Sequence, residues 1–381
     1  MKEFSLKTKI YFGEGALNKL SEISNKNVLI ICDKFMEESK TAEKIAIKLN
    51  NCNVSIFSDI VPDPSVQIVA LGVKKLKELN ADIIIALGGG SSIDGAKAIR
   101  EYYNNLFKEN SKYIEFYAIP TTSGTGSEVT EYAVITNKEE NLKYALTNKS
   151  LLPDVAILDA ELTKTVPKSI TADTGMDVIT HAIEAYVSKG SNDFSDALAE
   201  KALCLAFNNL KLAYNDPENL IFREKLHNAS CLAGMAFNAS GLGITHSLAH
   251  AIGGKLHIPH GKANAIILPY VMEFNANINN NLYMQDYDLV ALKYQRLAKL
   301  LDINACSTVI GVNNLIRNIA NLKSDLSIPK NLIELGVDIK LINDFRDEII
   351  EAALKDVCTS SNPREVSRED LNLLLDKIIG I

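Results

Sequence analysis

Four of the six histidines fall in THSLAHAIGGKLHIPHG, residues 245–261: His246, His250, His257 and His260. His246 and His250 stand four apart, as do Asp177 and His181 in TGMDVITHAIEAYVS, residues 174–188. On a helix, that spacing puts both side chains of a pair on one face, a turn apart. Met176, Ile179, Ile183 and Val187 supply the packing face of the earlier helix, and Glu184 reads as a solvated carboxylate or a partner behind the ligands. Gly241 and Gly243 precede the later helix, Gly253–Gly254 are placed to end it, and His260 lies at a corner between Pro259 and Gly261. Asp177, His181, His246 and one or two of the later histidines could therefore surround one ion. One carboxylate with several imidazoles suits Fe²⁺ or Zn²⁺ rather than a cysteine-bound structural zinc. Such a set leaves net positive charge at the ion, which helps hold an alkoxide. His250 reads equally as a half-buried histidine, His257 as incidental on a loop, and His227 in REKLHNAS as a surface or helix-packing residue.

A second constellation precedes the first. LGGGSSIDGAKA, residues 87–98, follows an apolar run and opens a helical pattern. Glycines there let a ligand approach the backbone, and the helix N-terminus offers N–H groups to a pyrophosphate. The run matches neither GxGxxG nor GxxxxGK[ST], so a tight structural turn explains it equally well. Asp94 is expected in the first helical turn. PTTSGTGSE, residues 120–128, sets hydroxyls and glycines at the end of the next strand, and two such loops suit a dinucleotide. Asp33 ends the strand of IICDK, where a carboxylate can bond ribose hydroxyls and repel a 2′-phosphate, favouring NAD over NADP, or simply cap a helix.

The elements that must position these residues change character along the chain. Apolar β-type runs at 27–33, 53–60, 81–90, 116–126 and 155–159 alternate with helical stretches, which implies βαβ units and a parallel sheet covered on both faces. From about residue 170 the periodicity is helical, with the handover near TVPKSIT at 165–171. The expected organisation is an α/β dinucleotide-binding domain, residues 1–167, and an all-α metal-binding domain, residues 168–381. The 381 residues carry a net charge of −7 with no basic cluster, which argues against nucleic acid as the main partner. The N-terminus lacks the apolar core of a signal peptide, the apolar runs are too short to span a bilayer, and the six cysteines form no CxxC pair. A cytoplasmic protein with no membrane partner is expected.

GGGSSIDGAKA, IPTTSGTGSE, GMDVITHAIEAYVS, HSLAHAIGGKLHIPHGKANA and CTSSNPR, in that order, resemble the iron-containing (group III) alcohol dehydrogenases over essentially the whole chain. The opening KEFSLKTKIYFGEG and the IICD strand most resemble the branch serving propanediol-utilisation microcompartments. The resemblance implies a Rossmann-like first domain, a helical second domain and a dehydroquinate synthase-like architecture with the site in the cleft. It also implies NAD(H)-linked interconversion of a short-chain primary alcohol and its aldehyde, 1-propanol/propanal or a related alcohol or diol. By the resemblance, Asp177, His181, His246 and His260 ligate Fe²⁺ (Zn²⁺ being an alternative). His250 lies near the nicotinamide without being a ligand and can relay a proton. Asp33, Gly89, Gly90, Ser91, Asp94, Thr121, Thr122, Ser127 and Lys143 contact the cofactor. Cys358 and the region of Phe237 are candidates to line the substrate site. A homodimer or higher homo-oligomer is implied, with an aldehyde dehydrogenase or a microcompartment shell as partner. The rival readings are a dehydroquinate synthase-like lyase, whose ligand set begins with glutamate, and a structural role in an enzyme assembly.

Overall fold

Runs of β-branched residues form strands here because successive side chains face opposite sides of a sheet and both sides are covered. The computed structural model describes residues 3–107, 112–137, 142–278 and 289–381, apart from the side chains at 142 and 143. Its strands are β1 (Lys9–Phe12), β2 (Asn27–Asp33), β3 (Asn53–Ile60), β4 (Ile83–Gly88), β5 (Glu115–Pro120), β6 (Tyr132–Asn137), β7 (Leu142–Thr147) and β8 (Val155–Leu158). Six of them form one parallel sheet in the order β1-β8-β5-β4-β2-β3, while β6 and β7 pair as an antiparallel hairpin. The alternation is explicit in β2 and β4. Leu29, Ile31, Ile84 and Ala86 pack into one core layer, and Val28, Ile30, Ile83 and Ile85 into the layer on the opposite face. Each fully buried aliphatic side chain stabilises the fold by about 1.5–3 kcal/mol. Sequence periodicity misses β1, a four-residue edge strand, and the hairpin β6–β7, which interrupts the βαβ repeat.

The sheet order creates a particular place. From β2 the chain moves outward to β3, then returns to the other side of β2 for β4 and continues to β5. The direction of winding reverses between β2 and β4, and ligands of open α/β sheets bind at the carboxyl ends of such a pair. Asp33 ends β2 and Gly88 ends β4.

The chain divides into two compact units, Met1–Val166 with Glu218–Met235, and Pro167–Pro217 with Ala236–Ile381. In the second unit, every residue of the helix Lys168–Val187 from Gly175 onward is buried. A helix hydrophobic and buried all round belongs to a core, so the polar groups it carries inward need partners. The helices Ile244–Leu256 and His260–Ala276 pack in the same unit. Gly253–Gly254 do not end the first of these; it runs on to Leu256. His257 stops it by taking the left-handed conformation at φ 55°. Among the described residues, no helix is long and apolar enough to cross a membrane.

Candidate metal centre and nucleotide site

The helix Lys168–Val187 presents Asp177, His181 and Glu184 inward at successive turns. His246 comes from the first turn of Ile244–Leu256, and His260 is the first residue of the next helix, following Pro259. One ligand atom from each of Asp177, His181, His246 and His260 can be chosen so that all lie within 4.8 Å of one another. The His246 ring stacks on His181 at 4.5 Å between centroids, and Phe237 stacks on the other side of His181 at 4.6 Å. Phe237 thus braces a histidine ring.

Charge states follow from the contacts. Burial alone would raise the Asp177 carboxyl, but the neighbouring His181, His260 and His246 and the Asn264 amide, donating at 2.7 Å, bring it below the usual carboxylate range. Burial, with repulsion from His181 and His260, pushes His246 well below the ordinary imidazole value, so it is neutral. Glu184 accepts from the backbone N–H groups of Gly243 at 3.0 Å and Thr245 at 2.7 Å. With those bonds made, the contact from Glu184 Oε2 to His246 Nδ1, 2.6 Å, assigns the proton to Nδ1. The His246 Nε2 lone pair then faces the cluster, 3.9 Å from Asp177 Oδ1, buried and without a hydrogen-bond partner. Buried polar atoms are almost always paired. A cation at the centre of one carboxylate and three imidazoles supplies the missing partner, so the residues fit a divalent first-row metal. The His260 side chain is 38% exposed against 3% for Asp177, which marks the approachable side of the cluster.

Most of the residues expected to hold a nucleotide gather at the carboxyl ends of β2, β4 and β5. The helix Gly90–Leu106 opens at Gly89, which brings no side chain to cap it; the Ser92 N–H turns back to Gly89 O at 3.1 Å, and the N–H groups of Gly90 and Ser91 at the helix start are placed for an anion. Gly88 turns at φ 146°, and Asp33 Oδ2 lies 3.6 Å from where a Cβ on Gly88 would sit. A side chain there would fill the cradle beside the aspartate. Asp33 is also a helix cap: its Oδ1 accepts from Met36 N at 3.0 Å, leaving Oδ2 for a ligand. The loop after β5 comes against the glycine turn, with Thr122 facing Gly89 and Thr125 facing Gly90. Thr121 is buried and its N–H donates to Gly88 O at 3.0 Å.

Two models of iron-containing alcohol dehydrogenases match the chain: the iron-containing alcohol dehydrogenase model over residues 7–160, and the C-terminal model of the Fe-containing alcohol dehydrogenase family over 171–379. The chain belongs to the iron-containing alcohol dehydrogenase family. It is 43% identical to the 1-propanol dehydrogenase PduQ of Citrobacter freundii, with all of both chains covered. Among solved structures, a 1,3-propanediol oxidoreductase superposes with a TM-score of 0.87 at 31% identity over the whole of both chains. A sulfoacetaldehyde reductase from Bifidobacterium kashiwanohense, solved with NAD⁺, gives 0.83 at 27% identity, covering 100% of this chain and 99% of that one. The enzyme is therefore an oxidoreductase of alcohols and aldehydes in a family that uses NAD(H) and iron, with the α/β-plus-helical fold of the dehydroquinate synthase-like group.

In the enzyme, His250 stacks on His260 at 5.1 Å and its Nδ1 lies 2.8 Å from Asp356 Oδ2. Burial alone would raise the Asp356 carboxyl; the hydrogen bond and charge of His250, with the Cys358 N–H, bring it down to about 2. Asp356 is absent from the sequence reading because it lies 106 residues from its partner; its signal is its place two residues before CTSSNPR. Cys358, beside this pair, is a buried thiol pushed well up by burial. His257 is exposed at the helix end, apart from the cluster.

Asp94 is in the second turn of its helix, not the first. It spends its carboxylate on the Ser127 hydroxyl at 2.6 Å and on Val134 N at 3.0 Å, so Asp94 and Ser127 brace the loop against the helix. Ser91 is half-buried in the first turn. Lys143, on β7, pairs with Thr136 of β6, and its side chain lies outside the described residues. His227 is not a surface residue: it is buried, with Nδ1 3.0 Å from the Ser123 hydroxyl of the 120–128 loop.

Burial pushes His227 down to about 4 from an ordinary 6.5. Between those values the unfolded chain takes up a proton that the folded chain refuses, so stability is present above pH 6.5 and is lost as pH falls toward 4. The full loss is about 3 kcal/mol. His227→Gln is expected to flatten the decline in unfolding free energy between pH 7 and 4.5, measured by denaturant titration. An unchanged slope would remove His227 as its source.

Proposed function

We propose that this chain interconverts a short-chain primary alcohol, 1-propanol or a close analogue, and its aldehyde. NAD(H) would be held by the glycine loops and Asp33, and iron by Asp177, His181, His246 and His260. The observation that carries the reading is the buried His246 Nε2, an unpartnered lone pair facing a carboxylate and two further imidazoles. When bound, the metal supplies Lewis acidity toward the substrate oxygen and NAD(H) supplies the hydride. The chain's own residues do the rest. Asp177 carries the negative charge of the ligand set, Glu184 fixes the tautomer of His246, and His250 moves the hydroxyl proton from a ring held by Asp356. Asp33 Oδ2 bonds the adenosine ribose and disfavours a 2′-phosphate, while Gly89, Gly90, Ser91, Thr121 and Thr122 take the pyrophosphate and Lys143 the ribose side. Asp94 and Ser127 shape that loop. The match to a 1-propanol dehydrogenase supports 1-propanol/propanal as the pair. A homodimer or higher homo-oligomer, a cytoplasmic or microcompartment setting, and association with an aldehyde dehydrogenase or shell protein belong to the same proposal and rest on the family resemblance alone.

Iron-loaded enzyme assayed with a series of two- to four-carbon aldehydes is expected to oxidise NADH in preference to NADPH, with the highest kcat/KM for propanal. Activity should vanish on chelation and return with Fe²⁺. Loaded enzyme inert toward the whole series, or preferring NADPH, would overturn the substrate or the cofactor assignment respectively.

A further inference from the structure

The segment Asp356–Arg364, which contains the CTSSNPR run, holds none of the proposed ligands, yet it runs alongside the histidine-bearing helix Ile244–Leu256 and the residues leading into it at one position after another. Ser361 Oγ donates to Leu242 O at 2.8 Å. Asn362 Oδ1 accepts from Ile244 N at 3.2 Å. Thr359 Oγ1 donates to Ser247 Oγ at 2.8 Å, and Asp356 holds His250. The helix starts at Gly243, which has no side chain to cap it. Its first N–H groups are capped from elsewhere: Gly243 and Thr245 by Glu184, and Ile244 by Asn362. A Cβ on Gly243 would lie 2.8 Å from Glu184 Oε1 and 2.9 Å from Asn362 Oδ1, so the glycine makes room for both caps.

The same segment grips a second histidine-bearing helix, the one that opens with His260. Asn362 and Asn275 exchange two hydrogen bonds, 2.9 and 3.1 Å, and both are buried. The Arg364 guanidinium donates to Phe274 O at 2.7 Å and lies over the Phe274 ring. Phe274 and Asn275 belong to the helix His260–Ala276. The Asn362 amide thus accepts from two groups and donates to two more, Asn275 Oδ1 and Arg364 O. Only an asparagine side chain of this length supplies all four bonds.

We propose that Asp356–Arg364 is a strap that fixes the helices bearing His246 and His260 relative to each other, with Asn362 its principal positioning residue for the metal ligands. The strap rests on the ligand assignment made above. Its removal loosens the ligands themselves, so metal affinity, and not only stability, depends on it.

The test is iron affinity of the full-length protein by chelator competition, with thermal unfolding of the metal-free form measured beside it. Asn362→Ala is expected to weaken iron binding 10–100-fold, the usual cost of losing a group that orients a ligand. Ser361→Ala and Thr359→Val each remove one tie toward the histidine-bearing helix, together with a contact to Cys358 O and Ala353 O respectively, and should weaken iron binding about 2- to 10-fold, the worth of one net hydrogen bond. Ser360→Ala, whose exposed hydroxyl bonds only Val357 O within its own turn, should match the parent. Parental iron affinity in the three strap variants, even with lowered Tm, would overturn the proposal, and so would an equal loss in Ser360→Ala. If Asn362→Ala does not fold, Ser361→Ala and Thr359→Val decide. Asp177→Ala separates the two readings. Iron retained there overturns the ligand assignment and the strap with it; iron lost there but kept in the strap variants overturns the strap alone.

Discussion

Asp177→Ala is expected to purify without iron and to lose at least about 10³-fold in kcat, because a bound metal contributes several kcal/mol of charge stabilisation and each 1.36 kcal/mol is a factor of ten. Asp177 is the one carboxylate among the four clustered residues, and three imidazoles hold it in the charged form. Without it, the imidazoles face each other with nothing to balance a dication. His260→Ala should behave alike. His257→Ala should keep both iron and turnover, since that residue is exposed and serves as a helix terminator. Metal analysis by atomic emission, with kcat measured on the same preparations, checks all three. Loss of iron in His257→Ala together with its retention in His260→Ala would reverse the assignment.

His250→Ala is expected to lose about 10²–10⁴-fold in kcat, the usual contribution of a general acid–base group, while keeping its iron. The imidazole is about one-third exposed at 36%, and its Nδ1 is committed to Asp356, so Nε2 is the atom left to exchange a proton. Asp356→Asn keeps the shape but removes the charge that orients the ring, and should give a smaller loss. Added imidazole should restore part of the activity of His250→Ala. An iron-replete His250→Ala within a few-fold of the parent would show that the proton travels another way.

These two outcomes separate what the four clustered histidines of the sequence could not. Helical spacing alone places Asp177 with His181 and His246 with His250, because side chains four apart share a face wherever the helix goes. It does not say which of His250, His257 and His260 turns toward Asp177. Local pattern likewise marks β2, β3, β4, β5 and β8, since alternating burial on two faces demands continuous apolar runs, but it misses β1 at the sheet edge. Glycine content misplaces the end of the helix Ile244–Leu256: Gly253 and Gly254 stay helical and His257 terminates it.

The sequence by itself determined the elements, the two helical pairs of candidate ligands and the family motifs, all properties of neighbours along the chain. Only the tertiary structure decided what depends on groups far apart in sequence. Winding around β2 brings Asp33 beside glycines more than fifty residues later. Glu184 reaches back from another helix to set the His246 tautomer, Asp356 takes His250, and Asn362 caps a helix that begins 118 residues earlier. A buried N–H or imidazole must find a partner, and nothing in its local sequence says which distant oxygen the fold will deliver.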